Sequence, residues 1–221
     1  MILKKIIVTT LVFIQSLNEY TAKPKILIIG DSISIGYTPF VKEALSSKYD
    51  VFHNLGNAQH TGTGLENISK WIGNEDYDII QFNWGLWDLC YRHPESKHQG
   101  NRDKVNGKVT FSIEDYKANL DSIIKILKTK TKAKLVFVTT TYVPTNEVGR
   151  FQNDANKYNE AAKEIMKKND IPINDIYAKS KKIHNKYGLG SDDVHYTSEG
   201  YKELSKLIVY FIENEIELSK N

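Results

Sequence analysis

The chain of 221 residues contains a single cysteine, Cys90. An intramolecular disulfide is therefore excluded, and an exported form has to be stable through its core alone. No activating base stands near Cys90 in the sequence, so it reads as a small buried residue rather than a catalytic thiol. Charge of one sign is also scarce: 30 Lys and Arg face 27 Asp and Glu, a formal net charge of +3. The densest basic run, Lys125, Lys128, Lys130, Lys132 and Lys134, is interleaved with apolar residues and threonines at the end of a predicted helix. Cations suit a helix C-terminus, so this is a solvated helix end and not a nucleic-acid patch. There is no nucleic-acid motif and no zinc-ligand spacing. The longest apolar stretch, residues 6–17, is too short to span a bilayer comfortably. Internal repeats and long linkers are missing as well. So are the G-x-S-x-G elbow of lipase-type α/β-hydrolases and, in the first loop, the glycine patterns that cradle dinucleotides or nucleoside triphosphates.

At the N-terminus, Lys4 and Lys5 precede that apolar stretch, and a polar segment follows up to about Ala22–Pro24. This is the layout of a secretory signal peptide, although no clean pair of small residues marks the cleavage point. A buried first strand is the alternative. No cysteine near the end of the run offers a lipoprotein anchor, so no stable membrane attachment is expected. The expected organisation is a signal peptide over 1–22 and one domain over 23–221, secreted or periplasmic.

The remainder alternates strand-like and helix-like stretches. Strands are expected at 25–29, 49–53, 78–82, 134–139 and 173–176. Helices are expected at 38–47, 64–72, 115–127, 153–168 and 198–213, with Ser112 or Asp115 capping the third. That alternation implies a parallel sheet covered on both faces. Such sheets carry their working residues beyond the carboxyl ends of the strands.

The first such loop reads Gly30-Asp31-Ser32-Ile33-Ser34. A serine between a buried strand and a helix exposes its hydroxyl to the crevice, and the helix N-terminus behind it favours a developing oxyanion. It needs a base. His195, just before the last helix, is the candidate, with Asp192 three residues earlier to orient its ring. In another fold the same two stretches would be a turn and a helix cap.

Gly30-Asp31-Ser32 resembles block I of the SGNH/GDSL hydrolases, and Asp192-x-x-His195 resembles their block V. Gly200 and Tyr201 after His195 and Thr197 complete the H-x-T-x-x-G-Y pattern. The resemblance runs from about Lys25 to the last helix. It implies a three-layer α/β/α, flavodoxin-like fold with a parallel central sheet, and ester hydrolysis through an acyl-serine intermediate without metal or organic cofactor.

It also implies an oxyanion hole built from the Ser32 N–H, a block II glycine N–H and a block III asparagine. Gly62 is the candidate glycine and Gly56 its competitor; both glycines alternatively only shape the loop. Block III departs from the family pattern. Gly-x-Asn-Asp appears as Gly85-Leu86-Trp87-Asp88, so Trp87 stands at the asparagine position, with Asn83 as the alternative donor. Asp31, His60, Trp84 and Tyr142 are candidates for substrate contacts, with His93 and Tyr37 near the same loops. Core or surface packing is the competing account of the aromatic and histidine residues. The expected substrate is a small-molecule or polysaccharide ester, with acetyl groups on sugars favoured; a lipid ester or thioester hydrolase of the same fold, or a glycan-binding protein with an impaired site, is the alternative.

Overall fold

The computed structural model describes residues 22–214 and residue 216, and the expected signal peptide lies outside them apart from Ala22. The apolar run of β1 (Lys25–Ile29) is fully buried beyond its first residue, as a strand covered on both faces requires. It pairs in parallel with β2 (Asp50–His53) on one side and β3 (Ile79–Phe82) on the other. Strand β6 (Lys134–Val138) follows β3, and β7 (Ile173–Asn174) closes the edge, again in parallel. The order is β2-β1-β3-β6-β7. A short antiparallel pair, β4 (Tyr91–Arg92) and β5 (Lys108–Val109), forms an arm outside this sheet.

The helices fall into two groups by their contacts. Helix α1 (Ser32–Leu45) packs against α6 (Ser198–Asn214), which also meets α5 (Tyr177–Tyr187). Helix α2 (Thr61–Ile72) packs against α3 (Ile113–Lys130), and α3 against α4 (Gln152–Lys168). The sheet lies between the two groups, giving the expected α/β/α architecture. Ile26, Ile28, Ile79, Ile80, Val136 and Phe137 are fully buried in it.

The expected strands and helices are present with shifted ends. Two differences matter for the site. Helix α1 begins at Ser32, not near Thr38, because Asp31 caps it: the Asp31 carboxylate accepts from the Ile33 N–H at 3.0 Å. Pro39, a residue that favours helix starts, instead lies inside α1. Helix α5 and the β4–β5 arm have no counterpart in the sequence reading. Helix α5 is lysine-rich and buries only Ser180 and His184, so it carries no apolar stripe to announce it.

Strand order reverses direction between β1 and β3. The β1 and β3 connections therefore leave toward opposite faces, opening a crevice at their carboxyl ends. Ser32 follows β1 at this place, and the loop 83–88 follows β3.

Candidate active site

Ser32 occupies the first turn of α1, where backbone N–H groups have no partner within the helix. The Asp31 cap takes the Ile33 N–H of that turn. Ser32 Oγ lies 2.9 Å from His195 Nε2 across 163 residues of chain. His195 Nδ1 lies 2.6 Å from Asp193 Oδ1. The carboxylate can only accept when ionised, so Nδ1 carries the ring proton and Nε2 is free to accept from the Ser32 hydroxyl. Burial alone would raise the Asp193 carboxyl. The backbone N–H and ring of His195, with the charges of His195 and Arg102, outweigh it and hold the group below the ordinary carboxylate range.

The acid of this relay is Asp193, a correction to the expected Asp192. The Asp193 carboxylate also accepts from the His195 backbone N–H at 2.9 Å, and this tight local turn fixes it beneath the ring. On a non-helical chain the preceding side chain diverges from its neighbour, and Asp192 is exposed. A second histidine steadies the loop from behind. His184 Nε2 donates to the Asp193 carbonyl at 2.7 Å, and the ring packs edge-on against Tyr142 and Tyr196. Gly188 admits it, since a Cβ there would lie 2.5 Å from the His184 ring.

The expected oxyanion donors have separate surroundings. Gly62 is in the first turn of α2, and its N–H donates to no group among the described residues. Its missing side chain makes room for Phe111, whose ring would stand 2.8 Å from a Cβ. Gly56 has φ +76 and open space around it, so its role is conformational. Asn83 commits an amide N–H to the Val138 carbonyl at 2.7 Å, tying β3 to β6. Trp87 is half-buried, with its indole N–H unpaired among the described residues and the Arg92 guanidinium 4.9 Å from its ring centroid.

Three expected substrate contacts belong to the protein interior. Asp31 is the buried cap of α1. Burial raises its carboxyl against the bond from Ile33 and the charge of Arg150, and its Oδ2 has no partner among the described residues. Trp84 is fully buried, donates to the Ala58 carbonyl and packs over Gly64. Tyr142 is buried, accepts from Gln152 and packs against His184. Tyr37, whose hydroxyl accepts from Gln81, is buried too. The aromatic positions after strand ends are core positions because the helices close tightly over the sheet. His60 stays at the rim. It caps α2 through Nδ1, which accepts from the Thr63 N–H at 3.1 Å, leaving Nε2 as the protonated nitrogen. Burial, and then the charge of Arg92, lowers its pKa. His93 lies half-buried in the β4–β5 arm.

Two networks escaped the sequence. Asp88 is fully buried and accepts from both the N–H and the hydroxyl of Thr61, coupling the β3 loop to the start of α2. Its carboxyl is pushed up to about 7, chiefly by burial, against the bonds from Thr61. Glu147, also fully buried, binds Arg150 at 2.9 Å and Arg102 at 2.8 Å, and Arg150 Nε donates to the Leu86 carbonyl. The Glu147–Arg150 pair is local, but the Asp88–Thr61, Glu147–Arg102 and Arg150–Leu86 contacts join segments far apart in the chain and leave no local sequence pattern. Among the described residues there is no cluster of three or more His, Cys, Asp or Glu fit to hold a metal ion. No helix among them is long and apolar enough to cross a membrane.

A serine, a histidine and an aspartate in hydrogen-bonded series at the switch point of a doubly wound sheet define a serine hydrolase on a flavodoxin-like frame. The family model described as GDSL-like Lipase/Acylhydrolase family matches residues 28–203. A lipase/acylhydrolase from Enterococcus faecalis is similar in structure, with TM-score 0.69 at 20% identity over 90% of this chain and 100% of that one. A catalytic mutant of Axe2, an acetylxylan esterase from Geobacillus stearothermophilus, gives 0.66 at 16% identity over 90% and 97%. A GDSL-like lipase from Bacteroides thetaiotaomicron gives 0.61 at 17% over 87% and 89%. No curated protein matches the chain. The chain belongs to the GDSL-like lipase/acylhydrolase family, and it is a hydrolase acting on ester bonds.

Proposed function

We propose that this protein is an exported carbohydrate esterase that removes acetyl groups through an acyl-serine intermediate, with Ser32 as nucleophile, His195 as acid–base and Asp193 as its orienting carboxylate. The observation that carries the reading is the unbroken relay from Ser32 Oγ through His195 to Asp193. Ser32 Oγ attacks the acyl carbonyl as its proton passes to His195 Nε2. The resulting oxyanion faces the Ser32 N–H, with Gly62 N–H and the Trp87 indole N–H as further donors. Collapse expels the sugar alkoxide, which takes the proton from His195. Water then attacks the acyl-serine with His195 again as base, releasing the acid and restoring Ser32.

The acetyl–sugar choice draws on the export signal expected at 1–22, the near balance of charge and the acetylxylan esterase activity of the similar Axe2. Hydrolysis of p-nitrophenyl acetate tests the chemistry. Ser32→Ala and His195→Ala are each expected to lower kcat by about 10⁴-fold or more. Full activity in either variant would end the assignment. An acetyl ester is expected to be cleaved faster than its octanoyl counterpart, and the reverse order would make the protein a lipid esterase. Cleavage near residue 22, read by mass spectrometry of secreted protein, tests export.

A further inference from the structure

The β4–β5 arm, residues 91–110, carries five Lys and Arg against two acids, a net +3 equal to the formal charge of the whole chain, so the remainder is neutral. Most of its cations are already engaged or exposed. Arg102 binds Glu147, and Lys104 donates to the Thr145 carbonyl. Arg92 is the exception: it is half-buried and pairs with no carboxylate among the described residues. A half-exposed guanidinium without a carboxylate partner is free to bind an incoming anion.

Arg92 is also held in one orientation. Its guanidinium carbon lies over the Trp87 ring, Nε donates to Thr110 Oγ1 at 3.3 Å, and Nη1 donates to the Gly100 carbonyl. Gly100 has φ +70, a backbone conformation that favours glycine. Asn101 follows with φ +57, a conformation that costs energy in a residue other than glycine. Such a turn is kept only where the surroundings fix it. Here it presents the carbonyl that orients Arg92. The remaining guanidinium N–H groups border an open cleft of about 420 Å³ lined by Arg92, His93, Pro94, Gly100 and Asn101. The arm that carries this cleft follows the loop after β3, and the charge of Arg92 is felt at His60 on the α2 side.

We propose that Arg92, braced on Trp87, is the anion-binding element of a specificity subsite that selects a carboxylate-bearing leaving group, so that the preferred substrate is an acylated uronic-acid saccharide. A flat fork with one positive charge matches a monoanionic carboxylate. His93 and Asn101 supply groups for sugar hydroxyls, and Pro94 supplies an apolar face. The inference deepens the carbohydrate-esterase reading and rests on it, but binding can be measured without turnover.

The test is isothermal titration of the full-length Ser32→Ala protein with a galacturonic-acid oligosaccharide, a neutral xylo-oligosaccharide and a sulfated oligosaccharide that lacks uronic acid. Tighter binding of the uronic oligomer is expected, with affinity falling about 10- to 100-fold when Arg92→Gln is added. Arg92→Lys should recover only part of it, because the charge returns without the fork. Lys97→Gln removes an exposed cation from the same arm and should change affinity less than twofold. Equal affinity for uronic and neutral oligomers, an equal effect of Lys97→Gln, or preference for the sulfated sugar would each overturn the proposal. Circular dichroism and Tm establish that the Arg92 variants are folded; if Arg92→Gln does not fold, the comparison rests on Arg92→Lys. Loss of p-nitrophenyl acetate hydrolysis in the wild-type protein would sink the esterase reading alone, whereas failure of uronic binding would sink only this one.

Discussion

Two adjacent aspartates, Asp192 and Asp193, have identical chemistry and opposite positions. The carboxylate under His195 fixes the ring tautomer and stabilises the imidazolium that forms as Ser32 loses its proton. Asp193→Asn is expected to lower kcat on p-nitrophenyl acetate by about 10²- to 10⁴-fold. Asp192→Asn should leave kcat within about twofold, because this exposed carboxylate is not the one that bonds the ring. Steady-state rates of the two variants separate them. Asp88 offers a second residue-scale prediction. Its folded pKa of about 7 lies above the ordinary 3.8, so between those values the native state holds a proton that the unfolded chain has released. Stability from this group is therefore lost as pH rises from about 4 to 7, by up to about 1.4 kcal/mol per pH unit. Asp88→Asn keeps an acceptor for Thr61 and cannot ionise. The difference in unfolding free energy between wild type and variant should slope across that window and be flat above it, as read by urea titrations at several pH values.

At the scale of elements, the nucleophile depends on where α1 is seated. Helix α1 meets α6 through Gly36, at which a Cβ would stand 2.3 Å from the Tyr201 ring. Gly36→Ala is expected to force the two helices apart and destabilise the protein by about 1–3 kcal/mol, even though alanine is the better helix former. Chemical denaturation measures this. Helix α5 shows how an element without a hydrophobic stripe still serves the site, because its buried His184 holds the carbonyl of Asp193.

The whole molecule decides how the insertions sit over the crevice. Glu147 is buried between Arg150, which reaches the Leu86 carbonyl of the β3 loop, and Arg102 of the β4–β5 arm. One carboxylate thus joins three separate stretches of chain around the site. Glu147→Gln would leave Arg150 buried without its counter-charge, at an expected cost of about 3–5 kcal/mol. A drop in Tm larger than that of any exposed-pair variant, such as Lys117→Gln, checks it.

The strand and helix periodicities, the serine after β1 and the histidine before α6 were legible in the sequence because each is a local pattern: an apolar run, a turn, a cap. The doubly wound sheet follows from their alternation. What the sequence did not carry was anything set by contacts across the chain. Asp192 and Asp193 are equivalent until the turn folds, Trp84 and Tyr142 are buried only once the helices close over the sheet, and Glu147 meets Arg102 only when the arm folds against it. Local order is written in neighbouring residues and could be read from them; side-chain partnership depends on the direction and burial of groups distant in sequence, which only the tertiary structure decides.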